Sequence, residues 1–291
     1  FPKVLSEKFA DTIARHPLRR EIIATFVTNT VVNRTGATFI NFLAAEAAAS
    51  TADVVRAYTL AREIFDLEPL WDQIDSLDYS VSSSLQLDLL ARLISISQRA
   101  SRWILRLRAR GADMPTLIAR YQPKAAELSA HLNHWLPDHS VNNWQQATQQ
   151  LMQAGVAAEL AQSLTALEFI FPALDLVDLA ASADTTLEQA ARTYFAVESR
   201  LGLIAWRTQI NRLPTETLWQ TQARGSARDD IYAVATQITK TVLAGDQGVD
   251  DWASRHSVQI DRLCQLLLSI SSQTADLAPI SVALRELRHL A

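Results

Sequence analysis

Apolar residues recur along this chain at intervals of three and four, the spacing of one helix face, and nowhere alternate with polar ones over four or more positions between turn signals. At about 100° per residue, Ile22, Ile23, Phe26, Val27 and Val31 share one broad face of a helix whose first residue is Pro17. Glu21, Thr25, Thr28 and Asn29 fall on the other face. Thr30, Asn33 and Arg34 continue the apolar face in the last turns although they are polar, and Gly36 is the stop. A shorter helix precedes this one, capped by Ser6, with Phe9 and Ile13 on one face and His16-Pro17 as its end.

The pattern continues downstream. Thr38 to Ala49 reads as a helix carrying Phe39 and Leu43, and Ser50 with Asp53 has capping-box spacing ahead of an inward stripe of Val54, Tyr58, Ala61 and Phe65. A short segment after Pro69 holds Trp71, Ile74 and Leu77. Ser82 or Ser83 begins a spine helix that runs to Arg110, roughly 40 Å long, with Leu85, Leu89, Leu93, Ile96, Ala100, Trp103 and Leu107 on one side. Pro115, Pro123 and Pro137 punctuate two shorter helical pieces, and helix grammar lapses from Pro137 to Asn143. Further helices run from Gly155 to Phe171 and from Pro172 to Ala183. Thr185 to Glu188 and Ser226 to Asp229 have capping-box spacing, the first leading a long helix that stops at Leu213-Pro214. Two final helices carry Trp252 to Ile270 and Ile280 to Leu287.

The expected fold is therefore all-α, an irregular multi-helix bundle of about ten to thirteen helices with no sheet. We expect one helical domain over residues 1–291, divisible at the Pro137 lapse into subdomains 1–136 and 137–291. No fixed period recurs, which argues against a regular solenoid.

Composition sharpens this picture. The chain has 7 Gly and 9 Pro, where average usage would give roughly 35 together, so helix breakers are scarce. Hydrophobic residues at 48% and charged residues at 20% describe a folded protein. A net charge of -4 supplies no general attraction to nucleic acid or anionic membrane, and no apolar run reaches the roughly 18 residues that a span requires. The expectation is no nucleic-acid and no membrane partner. The first residue is Phe1, so a piece of a longer chain is expected. Cys264, alone in an apolar helical pattern, reads as a buried reduced thiol in a reducing compartment, hence the cytoplasm.

Candidate chemistry is sparse. Only Gly245 and Gly248 among the seven glycines lie close together, without a strand before them, so no phosphate-cradling loop is expected. His131, His134 and His139 read as solvated or capping groups, with no Cys nearby to complete a metal site. Arg99, Arg102, Arg106, Arg108 and Arg110 complement the C-terminal end of the spine helix dipole. Arg19 and Arg20 are different, because the first turn of a helix disfavours cations and only Glu21 offsets them locally. They are either a solvated pair or contacts to acidic groups outside the chain. Asn33 and Arg34 either bond the helix's last carbonyls or reach a neighbouring domain or subunit. Arg19, Arg20, Asn33 and Arg34 are thus the candidate inter-domain contacts, and no catalytic, cofactor-binding or metal residue is assigned.

One resemblance rests on specific runs: HPLRREIIAT (His16 to Thr25), VTN (Val27 to Asn29), VNR (Val32 to Arg34), then Gly36 and Thr38-Phe39. It continues in VRAYTLAREIFDL (Val55 to Leu67), Trp71, Arg102-Trp103, Tyr194-Phe195 and LPTETLWQTQARGSARDDIY (Leu213 to Tyr232). The sequence resembles the C-terminal helical region of the large bacterial NAD-specific glutamate dehydrogenases. The stretch from Gly111 to Ala183 is similar in helical character only. The resemblance implies an enzyme that deaminates L-glutamate oxidatively, with NAD as the parent enzyme's cofactor and none in this fragment. Such enzymes use lysines in a glycine-lined pocket, whereas Lys3, Lys8, Lys124 and Lys240 lack any neighbouring glycine motif. The implied role is a non-catalytic domain that packs on the upstream catalytic domain of the same chain or joins subunits of a homo-oligomer. A free-standing helical interaction module is the alternative that the residues leave open.

Overall fold

The computed structural model describes residues 7–106, 113–245, 248–271 and 275–291. Among them are 16 helices and no strand. The all-α class holds, and the expected count of ten to thirteen helices is too low. Two of the expected helices are each broken in two. The expected helix from Thr185 to Leu213 is interrupted at Gly202, which adopts φ +61 and would be strained with any side chain there. The expected helix around Trp252 to Ile270 is interrupted at His256.

The described residues cluster into two compact units, one within Phe1–Ile74 and Ser84–Leu117, the other within Asp75–Ser83 and Ile118–Ala291. The first contains α1 (Ala10–Ala14), α2 (Arg19–Thr35), α3 (Thr38–Ala47), α4 (Thr51–Ile64), α5 (Leu67–Asp75) and α6 (Ser83–Arg106). Val31, Phe39, Leu43, Val54, Tyr58 and Leu105 form its core. Ser50 caps α4 as expected: its hydroxyl accepts from the Asp53 N–H at 3.1 Å, and the Asp53 carboxylate accepts from the Ser50 N–H at 3.3 Å. Leu89, Leu93, Ile96 and Ala100 of the spine helix α6 are buried, and Arg102 bonds Glu46 at 2.9 Å. Leu107, Arg108 and Arg110, expected to continue this helix, and Ser6, the expected cap of α1, lie outside the described residues.

The second unit contains α7 (Met114–Trp135) from Ile118 onward, α8 (Asp138–Gln153), α9 (Ala158–Ile170), α10 (Ala173–Ser182), α11 (Leu187–Arg200), α12 (Leu203–Asn211), α13 (Leu218–Ala244), α14 (Val249–Arg255), α15 (Ser257–Ser271) and α16 (Leu277–Arg288). α7 passes straight through Pro123, where two pieces were expected. Pro123 and Ala119, whose carbonyl loses its partner, both face solvent, while Leu117, Tyr121, Ala125, Leu128 and Leu132 continue a buried stripe across the break. The carbonyl is on the solvent side, and burial on the other face offsets a cost of about 3 kcal/mol. The segment 75–83 belongs here because Gly155, at φ +99, lies under it: a side chain at 155 would meet the Ser80 carbonyl at 3.4 Å.

Capping in this unit departs from the expected frame. Thr186 caps α11 through Gln189. Ser226 lies inside α13, whose start is a capping box of Thr217 with Gln220. α13 is the central helix, packed against α10, α11, α12 and α16. On it converges a buried ion pair. Arg207 of α12 bonds Glu198 of α11 at 2.5 Å, approaches Glu168 of α9 at 3.5 Å, and lies 5.0 Å from the centre of the Tyr232 ring on α13. Burial opposes the charge on Arg207, but Glu198, Tyr232 and Glu168 together hold its pKa well above the ordinary arginine value.

Removing one partner strands a charge in a dry interior, so Arg207→Met and Glu198→Leu should each cost about 3–5 kcal/mol, and the double variant should recover most of it. Urea unfolding of all four proteins measures this; additive losses would show that the two residues are not coupled. In the first unit the Tyr58 hydroxyl has no hydrogen-bond partner, and its pKa is pushed up to about 12 by burial, then by Glu68, against the opposing Arg62 and Arg34. An unfolded tyrosine releases its proton near about 10, so above that pH the unfolded state binds fewer protons. Stability therefore falls as pH rises from about 10 to about 12. In urea unfolding across that range, Tyr58→Phe should show a shallower loss than the parent chain.

Candidate docking surface

Around the α1–α2 turn the molecule presents an open apolar groove. Pro17 does not open α2; the helix starts at Arg19, and residues 16–18 form the turn. Its geometry comes from His16, whose Nδ1 accepts from the Leu18 N–H at 3.1 Å while its carbonyl accepts from the Arg19 N–H at 3.0 Å. Beside this turn opens a groove of about 410 Å³ lined by Ile13, His16, Arg19, Ile22, Ile23 and Phe26. The four residues from α2 keep i, i+3, i+4, i+7 spacing, which is a single helix face.

The sequence assigns this face to the interior, and the structure covers only part of it. Val31 is the one fully buried residue of α2, in the core with Phe39 and Tyr58. Ile22 is 40% exposed, Ile23 47% and Phe26 64%. The first half of α2 therefore extends past the core with its apolar face open. Fully burying a side chain of this size is worth about 1.5–3 kcal/mol, so covering three half-exposed ones is worth roughly 1 kcal/mol apiece.

Arg19 and Arg20 sit exposed at the first turn beside this groove, as does Arg15 in the preceding turn. Among the described residues none of the three makes an ion pair. Asn33 and Arg34 lie about 21 Å further along the same helix, so the four candidate contacts do not form one site. Asn33 is exposed at the far end. Arg34 acts within its own unit: its guanidinium bonds Asp72 at 3.0 Å, lies 3.9 Å from Glu68, and sits over the Trp71 ring at 5.2 Å. It ties α2 to α5. Sequence reasoning missed Ile22, Ile23 and Phe26 as surface residues, because amphipathic spacing marks a face that wants cover without saying what supplies it.

Other chemically suggestive residues have local duties. His131 stacks on Trp135 at 5.0 Å and bonds the Glu127 carbonyl at 2.8 Å. His139 bonds Ser140 at 3.2 Å. Cys264 is exposed, contrary to the expected burial, because it falls one position past the buried Leu263 on α15. Among the described residues no three His, Cys, Asp or Glu side chains are grouped to hold a metal ion, and no described helix is long and apolar enough to cross a membrane.

Comparison with known proteins decides the family. The family model described as glutamate dehydrogenase, C-terminal, matches residues 1–289. The chain belongs to this glutamate dehydrogenase C-terminal family. Among curated relatives it is 34% identical to the NAD-specific glutamate dehydrogenase of Pseudomonas aeruginosa and 34% identical to that of Halomonas elongata. It is 29% identical to that of Mycobacterium tuberculosis. In each comparison 100% of this chain is covered but only 18% of the relative, so the chain spans less than a fifth of the length of these proteins.

Within this family member the candidate arginines separate by what they touch. Arg34→Ala removes a half-screened ion pair and a stacking contact, and should lower the chain's stability by about 1 kcal/mol. Arg19→Ala with Arg20→Ala should change it by less than about 0.5 kcal/mol. Thermal unfolding of the 291-residue chain distinguishes them; equal losses would contradict the assignment.

Proposed function

We propose that these residues are the non-catalytic helical C-terminal domain of an NAD-dependent glutamate dehydrogenase. The full-length enzyme converts L-glutamate, NAD and water to 2-oxoglutarate, ammonium and NADH in the cytoplasm, as a homo-oligomer. The domain packs on the upstream catalytic region or between subunits. The observation that carries this reading is the match of residues 1–289 to the C-terminal family, on a chain that covers 18% of its NAD-specific relatives. Physical chemistry supports the division of labour. A dinucleotide is ordinarily seated on a strand, a glycine-rich turn and a helix N-terminus, and the described residues hold helices without a strand. Arg19, Arg20 and Asn33 are exposed where a neighbouring domain can reach them, and Arg34 holds their helix in place.

Two measurements test this. The 291-residue chain, incubated with L-glutamate and NAD, should form no NADH; appreciable turnover overturns the non-catalytic reading. In the full-length enzyme, Arg19→Ala with Arg20→Ala should weaken domain packing or subunit assembly, seen by analytical ultracentrifugation and limited proteolysis. The same change should shift the isolated chain's melting temperature by less than about 2 °C.

A further inference from the structure

The α1–α2 groove has a shape and a charge that specify its occupant. Resting on the reading of this chain as a domain of a longer enzyme, we infer that the groove seats an amphipathic helix from the dehydrogenase polypeptide outside these 291 residues. That helix carries apolar side chains at i, i+3 or i+4, and i+7, with carboxylates on the flank facing Arg15, Arg19 and Arg20.

Shape comes first. From Arg19 to Phe26 the α2 wall is about 10.5 Å long, two turns of helix, which matches an occupant stripe of three apolar anchors. Ile13 of α1 and His16 of the turn complete the lining, which leaves the α2 face open for a further helix to pack on. An extended peptide fits poorly. Its backbone N–H and C=O groups would lie against apolar walls with only His16 and Arg19 to bond them, whereas a helix satisfies its own backbone. A small ligand fits poorly too, because ligand pockets enclose about 70–90% of their guest, and here the walls themselves are open, with Phe26 at 64% exposure.

Charge selects the flank. Arg15, Arg19 and Arg20 are exposed and make no ion pair among the described residues, and Arg19 and Arg20 add to the positive end of the α2 dipole. Carboxylates on the arriving helix meet both sources of positive potential. A second copy of this chain would instead bring its own Arg15, Arg19 and Arg20 to the interface. The remaining polypeptide is the available source: the relatives devote roughly four-fifths of their length to sequence outside this region. Covalent linkage also holds such a helix at high effective concentration, so a two-turn contact suffices.

The test uses the full-length enzyme with a benzophenone phenylalanine analogue at position 22 or 26, photolysed and mapped by mass spectrometry. Adducts should fall on one helical segment outside residues 1–291, with Asp or Glu beside the modified apolar positions. In enzyme assembled from mixed isotope-labelled subunits, they should remain within one chain. Label-crossing adducts to the α1–α2 hairpin would make the occupant a second copy and overturn the inference, as would adducts confined to residues 1–291 or none at either position. In parallel, Ile22→Asp with Phe26→Asp should leave the isolated chain folded, lowering its melting temperature by only about 5 °C. In the full enzyme it should lower hydrogen-exchange protection of α2 roughly tenfold or more; unchanged protection there would overturn the inference. Glutamate turnover by the isolated chain would remove the non-catalytic reading and leave the cross-links to decide the groove. Cross-links elsewhere would remove the groove's occupant and leave the non-catalytic reading standing.

Discussion

The Arg207–Glu198 pair is the constraint on which the larger unit depends. A charge of each sign, at 4% and 3% exposure, can stay in a protein interior only if every surrounding helix holds its place. Arg207 comes from α12, Glu198 from α11, Glu168 from α9, and the Tyr232 ring from α13. Any relative shift of these four helices would separate the charges or admit water between them. The Gly202 turn is what makes the pair possible, since it folds α12 away from α11 and brings two residues nine positions apart into contact. Around this centre the packing is aromatic: Phe169 meets Phe195 at 6.4 Å, and Phe171 meets Tyr232 at 4.9 Å.

The smaller unit is built on a different principle. Its core is apolar and closes around Val31, Leu43, Val54 and Tyr58; Arg34 pairs with Asp72 at the margin, while Arg102, at 5% exposure, is buried and pairs with Glu46 between α6 and α3. That core reaches only the second half of α2. A helix anchored firmly at one end and exposing its apolar face at the other is poorly suited to isolation in water and well suited to receiving another element. Within a family defined by a C-terminal region, such a face is what an internal domain contact requires.

Legibility in the sequence followed the range of the interaction. The all-α class, the Ser50–Asp53 cap, the Gly36 stop and the buried stripe of α6 depend on residues within a turn or two of each other, and periodicity reports them. Misreadings occurred where a local signal competed with distant packing. Pro123 reads as a break, but a continuous buried stripe carries α7 through it. Ser226 and Asp229 read as a cap, but Thr217 and Gln220 had already started the helix. Arg19 and Arg20 stood out because they oppose a helix dipole, whereas Arg207 gave no such signal, its partners lying 9, 25 and 39 positions away in the chain.

By itself, then, the sequence determined which segments are helical, which face of each is apolar, and, through the runs from His16 to Phe39 and from Leu213 to Tyr232, to which family it is similar. Tertiary structure alone decided which apolar faces are covered, which arginines are spent on internal pairs, and where a groove remains. The physical reason is that helical periodicity records the need for burial, a property of each segment. Whether that need is met depends on the neighbours that the fold supplies, and at Ile22, Ile23 and Phe26 the described residues supply only part of the cover.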